Sequence, residues 1–108
     1  MPSRTQIDAI MLTEQDNVAT ALRGLAVGEE ARVGVGERVV LVLVGEPIAF
    51  GHKLAVRDIP RGADVLKYGE VIGRATQDIA AGRHAHVHNI ESLRGRGDLE
   101  TAGGGHGV

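Results

Sequence analysis

The hydrophobic positions of this chain come in short runs that glycines, prolines and charged residues interrupt. From residue 29 onward the runs are rich in valine and isoleucine, which is typical of strands rather than helices. Turn residues such as Gly45, Pro47 and Gly69 separate them. The pattern predicts a mainly β domain, with strands at residues 6–12, 31–35, 38–44, 48–50, 54–56, 64–66, 71–76 and 84–90.

Two stretches carry more specific predictions. Residues 17–22 place Val18, Ala21 and Leu22 on one side at helical spacing, after a group of N-cap residues and before Gly24. They therefore predict one short helix. Residues 39–44 are wholly apolar, which predicts a strand that is buried on both faces or lies at the centre of a sheet.

A short motif recurs ahead of three predicted strands. An aliphatic residue stands three positions before a glycine in the pairs Leu25 and Gly28, Ile59 and Gly62, and Ile79 and Gly82. Asp58 and Asp78 precede the two isoleucines. Each motif predicts a tight turn in which the aliphatic side chain enters the core and the glycine adopts a backbone angle that other residues resist.

Composition narrows the class of protein. A single domain is expected from 108 residues, over residues 1–93, with a glycine-rich flexible tail at 94–108. The absence of cysteine excludes disulfides and thiolate metal sites. A net charge of −2, with Phe50 and Tyr68 as the only aromatic residues among Phe, Tyr and Trp, argues against a nucleic-acid partner. No signal peptide or membrane-length apolar run is recognisable, so a cytoplasmic protein without a membrane partner is expected.

Histidine occupies every second position from His84 to His88. In an extended strand these three imidazoles share one face, with same-face neighbours about 6.6 Å apart at Cα. An adjacent pair can chelate one metal ion or share one anionic ligand. His86 and His88 are the favoured pair, with Asn89 as a neighbouring amide. The alternative is a solvated polar face without function, although short histidine-rich tracts do suggest metal binding.

Two polar turns add further candidates. His52 and Lys53 follow Gly51, and together they offer a titratable ring and a cation. Lys67 and Tyr68 precede Gly69 and Glu70, which suggests an anion-binding and proton-transfer edge. Both segments also fit ordinary exposed turns, and a lone tyrosine in a small β domain is more often structural.

Taken together, these segments resemble the SAF (antifreeze-like) domain of the altronate and galactarate dehydratase family. The small subunit of the related sulfolactate sulfo-lyase is similar. The resemblance covers roughly residues 5–93 and rests on the segments DNVA at 16–19, GHK at 51–53, DI at 58–59, Gly62, KYG at 67–69, IG at 72–73 and HAHVHN at 84–89.

The resemblance implies a β-clip fold with one short helix and a role in removing water from a sugar acid to give a 2-keto-3-deoxy acid. Sulfite is the leaving group in the sulfo-lyases. It implies a large catalytic subunit as partner and a divalent metal, iron or manganese, held mainly by that subunit. The residues placed at the reaction are His52, His86 and His88. Substrate contacts are assigned to Lys53, Lys67, Tyr68 and Asn89, and metal ligation to His86 and His88.

Other interpretations stay open at this point. The domain can instead be a carbohydrate-binding or assembly module without catalysis, or a metal-storing or pH-sensing protein. The sugar acid, the leaving group and the oligomeric state, a homo-oligomer included, are left undecided.

Overall fold

A computed structural model describes residues 6–92, and within this range the chain forms nine β-strands and no helix. The mainly β prediction is therefore confirmed, whereas the tail expected at 94–108 lies outside the described residues. No helix in the described range is long and apolar enough to cross a membrane. The strands are β1 (Ala9–Met11), β2 (Val18–Ala21), β3 (Glu30–Val35), β4 (Arg38–Leu43), β5 (Lys53–Ala55), β6 (Asp64–Lys67), β7 (Glu70–Ala75), β8 (His84–Ala85) and β9 (Ile90–Ser92).

The strands form two sheets. The first contains six strands in the order β4-β3-β1-β2-β5-β8, and the second contains three in the order β6-β7-β9. β1 and β3 pair in parallel, and the other strand pairs of the described chain are antiparallel. The first sheet brings β5 beside β8, which places residues near 53 against residues near 85.

Two clusters of small aliphatic side chains form the core. One lies within the first sheet and its loops and includes Val33, Ile48 and Leu54. The other combines Val18 of the first sheet with Val65 of the second, so it is the hydrophobic contact that joins the sheets. Burial of apolar area is the main favourable contribution to folding of such a small domain.

The predicted helix at 17–22 is wrong. Residues Val18–Ala21 form β2, which lies between β1 and β5 in the first sheet. The preceding Asp16 and Asn17 do not cap a helix. Their side chains bind backbone groups between residues 64 and 69 instead. Two neighbouring strands thus supply hydrogen bonds that a six-residue helix could not match, since isolated short helices are marginal.

The predicted burial of the apolar stretch 39–44 is also wrong. β4 is an edge strand whose strand partner is β3. Val42 points into the core, but Val39, Leu41 and Leu43 are 42%, 55% and 65% exposed. An unbroken apolar run records both faces of a strand equally, so it cannot show that one of them faces outward.

Two other predicted strands differ from those in the structure. Residues 48–50 form no strand, and Ile48 makes an isolated bridge with Leu25. The strand predicted at 84–90 is interrupted, because β8 ends at Ala85 and a turn leads into β9 at Ile90.

The three aliphatic-glycine turns are confirmed. The aliphatic residues Leu25, Ile59 and Ile79 are buried, and the glycines at 28, 62 and 82 have φ of 93°, 87° and 87°. Gly82 has a second constraint, since a Cβ there would lie 2.0 Å from the carbonyl oxygen of Leu43. The two isoleucine turns also cap each other: Asp58 accepts a hydrogen bond from the Ala81 N–H, and Asp78 accepts one from the Arg61 N–H.

Candidate functional site

Three histidines from two segments meet beside the edge of the first sheet. His52 ends the turn that leads into β5, and Gly51 in that turn has φ of 83°. His84 lies on β8, which pairs with β5 in the register Leu54 to His84. The pairing of two strands distant in sequence therefore brings His52 into the histidine-rich segment.

The imidazoles of this cluster are stacked. Ring centroids are 4.2 Å apart for His52 and His86, and 5.1 Å apart for His84 with either of the other two. Nδ1 of His52 lies 2.9 Å from Nε2 of His84, so one of these nitrogens donates a hydrogen bond to the other. His88 joins at the side, with its ring tilted by 35° and centred 5.3 Å from that of His84. We name His52, His84, His86 and His88 the imidazole cluster.

The histidines are gathered by a strand and a turn rather than by one continuous strand. Asn89 holds this turn, and its side chain is nearly fully buried. Its Oδ1 accepts a hydrogen bond from the His86 N–H at 2.8 Å, and its Nδ2 donates one to the His84 carbonyl at 2.8 Å. The structure thus gives Asn89 a structural role in positioning His86, and its predicted contact with substrate stays a prediction.

Burial lowers the pKa of two members of the cluster and so favours their neutral form. The pKa of His84 lies below its ordinary value because of burial first and then of the neighbouring imidazoles, while Glu46 acts in the opposite direction. The pKa of His86 is lowered by burial, by His52 and by Lys53. Such rings are uncharged near neutral pH and offer a lone pair to a proton or a metal ion.

Lys53 adjoins the imidazole cluster, and Lys67 lies near Lys53. Lys53 opens β5 and is half-buried, and its pKa is lowered by that burial and by the charge of Lys67. The Lys67 ammonium lies 4.9 Å from the centre of the Tyr68 ring. The Tyr68 hydroxyl donates a hydrogen bond to Thr20 Oγ1 at 3.1 Å. Two cations close together favour an anionic ligand.

Asp16 holds the Lys67–Tyr68 turn in place, a role that its sequence position does not reveal. Asp16 is fully buried, and its carboxylate accepts hydrogen bonds from the N–H groups of Tyr68 and Gly69 at 2.9 and 2.8 Å. Tyr68 adopts φ of 54°, a left-handed conformation that is unusual for a residue with a side chain. In the sequence, an aspartate followed by an asparagine is typical of helix capping, and this pattern hides the role of Asp16 in the turn.

An apolar cleft of about 700 Å³ opens beside the imidazole cluster. His52 and His84 form one part of its lining, and Leu25, Pro47 and Ile48 contribute to the rest. The cleft is open to solvent, so the described residues offer one wall of a site rather than an enclosed cavity.

The cluster also has the donor set of a metal centre. His52, His84 and His86 each offer one ring nitrogen, and these nitrogens all lie within 4.8 Å of one another. The histidine pattern favoured His86 and His88 as the metal-binding pair. The group in the structure includes His86, together with His52 and His84 instead of His88.

Fold and site together define a small β module that presents imidazoles and lysines on an open face. The family described as the SAF domain of altronate/galactarate dehydratase matches residues 7–93. The chain belongs to this family, and the resemblance inferred from its motifs is confirmed.

Similarity to individual proteins agrees with the assignment to this family. The chain is 51% identical over 77 residues to altronate dehydratase of Escherichia coli K12, covering 71% of this chain and 15% of that protein. It is 43% identical over 58 residues to the (2R)-sulfolactate sulfo-lyase subunit alpha of Chromohalobacter salexigens, covering 54% of this chain and 62% of that subunit. It is 34% identical over 73 residues to galactarate dehydratase (L-threo-forming) of E. coli K12, covering 68% of this chain and 13% of that protein.

Proposed function

We propose that this chain is the small component of a sugar-acid lyase and acts together with a large catalytic subunit. The reaction is the β-elimination of water from a 2,3-dihydroxy carboxylate, which yields a 2-keto-3-deoxy acid. The observation that carries the proposal is the gathering of the imidazole cluster beside Lys53, with Lys67 near that lysine, in a domain of this family.

The residue types suit this chemistry. Elimination begins when a base removes the proton from C2, and it ends when an acid protonates the departing C3 hydroxyl. The enol that forms then becomes the 2-keto acid. A neutral imidazole such as that of His86 can accept the C2 proton, and His52 can deliver a proton to the leaving group. The ammonium groups of Lys53 and Lys67 would stabilise the substrate carboxylate and the enediolate that develops from it.

The requirement for a second subunit rests on the open face of the site. Phe50 and Val87 lie two residues and one residue from histidines of the cluster, and they are 70% and 82% exposed. Large exposed apolar side chains around a polar site are typical of protein contacts. A large subunit seated there would cover both residues and exclude water from the imidazole cluster. The sulfolactate sulfo-lyase relative is itself named as a subunit.

The divalent metal that the family resemblance implies also fits this face. Of the described residues, His52, His84 and His86 are those able to hold it in common. With the ion bound, these imidazoles would serve as its ligands instead of as base and acid, and the ion would supply Lewis-acid activation of a hydroxyl or carboxylate oxygen of the substrate.

The decisive experiment is reconstitution. The chain is co-expressed with the large dehydratase-like subunit of the same organism, and the purified complex is assayed with altronate, galactarate and sulfolactate for release of 2-keto acid or sulfite. We expect turnover of one of these substrates by the complex. His52→Ala and His86→Ala should each lower kcat by at least about 100-fold, whereas His106→Ala, which changes the one histidine outside the cluster, should not.

Two variants test the contact surface separately. Phe50→Lys and Val87→Lys should weaken co-purification without unfolding the chain. A complex that assembles, binds the sugar acid and turns it over equally well without His52 and His86 would remove the catalytic assignment. Assembly and sugar-acid binding with no turnover by any complex would favour a carbohydrate-binding or assembly module.

A further inference from the structure

We infer that His52, His84 and His86 form a binding site for one divalent transition-metal ion, held through three imidazole nitrogens by this chain alone. The inference concerns the same face as the proposed function. Metal binding by the isolated chain requires neither the large subunit nor a substrate, so the two proposals can fail independently.

The first argument is the convergence of donors from separate segments. The three ring nitrogens lie within 4.8 Å of one another, although His52 is more than thirty positions from His84 in the sequence. Nitrogens bound to one tetrahedral ion at 2.0–2.1 Å are about 3.3 Å apart. The His52 and His84 nitrogens are already 2.9 Å apart. Metal binding would replace this hydrogen bond between them, with the donor ring carrying its proton on its other nitrogen, and would bring a nitrogen of His86, which stands on the turn after β8, closer to the other two.

The second argument is an unsatisfied polar atom. Nδ1 of His86 is buried, and it has no hydrogen-bond partner among the described residues. Nearly all buried polar atoms in folded proteins have a partner, so an exception of this kind calls for a ligand, an ion or a water molecule. The neighbouring His52 and His84 satisfy each other, which leaves the third imidazole as the free member of the group.

The kind of ion follows from the donor set. The group contains three imidazoles and no carboxylate. Imidazole suits borderline ions such as Fe²⁺, Co²⁺, Ni²⁺ and Zn²⁺, whereas Mg²⁺ and Ca²⁺ require oxygen ligands. Three protein ligands also leave a coordination position open, as in catalytic rather than structural metal sites.

The nearby lysines determine what occupies that open position. Lys53 opposes the approach of a cation, since its charge acts on His86, and Lys67 adds a second positive charge near Lys53. An anionic ligand on the metal would offset this repulsion and contact the lysines at the same time. Metal and carboxylate should therefore bind cooperatively, and each should tighten the binding of the other by the same factor.

The experiment is a titration of the full chain, purified without a histidine tag, with CoCl₂ and with ZnCl₂. Calorimetry should give one ion per chain, and the visible absorption of Co²⁺ should report coordination by nitrogen. MgCl₂ should give no saturable binding. Addition of galactarate should lower the Kd for Co²⁺, whereas the uncharged sugar alcohol galactitol should not.

Matched variants locate the ion. His52→Ala and His86→Ala should each raise the Kd for Co²⁺ by at least about 30-fold. His88→Ala and His106→Ala should change the Kd less than about threefold, because neither residue is among the three proposed ligands His52, His84 and His86. His52→Gln and His86→Gln preserve side-chain size, and circular dichroism should show that both remain folded without metal.

The possible outcomes are distinct. Loss of binding in His88→Ala with retention in His52→Ala would overturn the three proposed ligands in favour of a His86–His88 chelate. Loss in His106→Ala alone would place the ion outside the described residues. The absence of saturable Co²⁺ and Zn²⁺ binding, or wild-type affinity in both His52→Gln and His86→Gln, would overturn the inference entirely.

Discussion

Replacement of the buried Asp16 should lower the free energy of unfolding strongly, even when the new side chain has nearly the same shape. The Asp16 carboxylate accepts hydrogen bonds from the N–H groups of Leu12, Thr13, Tyr68 and Gly69 and from the Thr13 hydroxyl. The acceptor oxygens connect a loop of the first sheet with the β6–β7 turn of the second. Asp16→Asn keeps the volume of the side chain but replaces one acceptor oxygen with a donor NH₂ group.

The size of the effect follows from which oxygen becomes nitrogen. Oδ2 accepts from Leu12, Thr13 and Tyr68, and Oδ1 accepts from Thr13 and Gly69. Either orientation of asparagine leaves at least one backbone N–H facing another N–H. An unsatisfied buried donor costs about 1–3 kcal/mol, and the loss of charge weakens the remaining bonds. We therefore expect Asp16→Asn to lower the free energy of unfolding by about 2–4 kcal/mol, or Tm by roughly 10–25 °C in a domain of this size.

The pH dependence provides an independent check. Burial raises the pKa of Asp16, but the hydrogen bonds from Gly69, Leu12, Thr13 and Tyr68 outweigh it, so the pKa lies below the ordinary value. A carboxyl group with a lowered pKa in the folded state contributes stability above its unfolded pKa, near 3.9. That contribution is lost as the pH falls through the folded pKa.

Urea unfolding of wild type and Asp16→Asn, followed between about pH 7 and pH 2, measures both quantities. The difference between the two proteins should be constant above about pH 5 and should shrink below it. Asp64→Asn makes the same chemical change at an exposed position of β6 and serves as the control. Equal stability of wild type and Asp16→Asn at pH 7, or a difference that does not change in acid, would refute the reasoning.

The remaining predictions concern an edge strand, two glycines and a turn. Leu41→Lys should change the unfolding free energy by less than about 0.5 kcal/mol, whereas Val42→Lys on the other face of β4 should cost several kcal/mol; similar urea midpoints for the two would contradict the edge assignment. Gly28→Ala should cost about 1–2 kcal/mol for its left-handed backbone alone, since nothing lies within 4 Å of the added Cβ. Gly82→Ala should cost clearly more, because its Cβ meets a backbone carbonyl; Tm values in the reverse order would count against this. Asn89→Ala should lower stability by about 1–3 kcal/mol by leaving the turn after β8 without its side-chain hydrogen bonds, and hydrogen exchange should show faster exchange there; unchanged exchange would show that the side chain does not hold the turn.

Much of the fold was predictable because local chemistry dictates it. The aliphatic-glycine turns were read from the sequence correctly: Leu25, Ile59 and Ile79 are buried, and their glycines adopt positive φ. A turn depends on a few neighbouring residues and on the steric freedom of glycine, so its sequence signature survives in any tertiary context. The same holds for most strands, whose β-branched runs were recognised with small errors at their ends.

The errors arose where partners distant in sequence decide the outcome. Helical spacing at 17–22 was genuine, yet β1 and β5 lie on either side of that segment and impose a strand. The apolar run at 39–44 was recognised as a strand, but its place at the edge depends on the order in which the sheet is assembled. Intrinsic propensity is worth less than the hydrogen bonds and burial that neighbouring strands supply.

Some features of the candidate site are likewise visible in the sequence, and others only in the structure. The alternation of histidines from His84 to His88 and the Gly51-to-Lys53 turn were visible in the sequence as two separate signals, together with the family to which the chain belongs. Only the folded chain shows three further features. His52 stacks on His86, the Asn89 side chain is hydrogen-bonded within a turn, and Asp16 accepts a hydrogen bond from the Tyr68 N–H. Residue types are local properties and can be read directly, whereas a distance between two side chains depends on strand pairing, which long-range contacts across the whole domain establish.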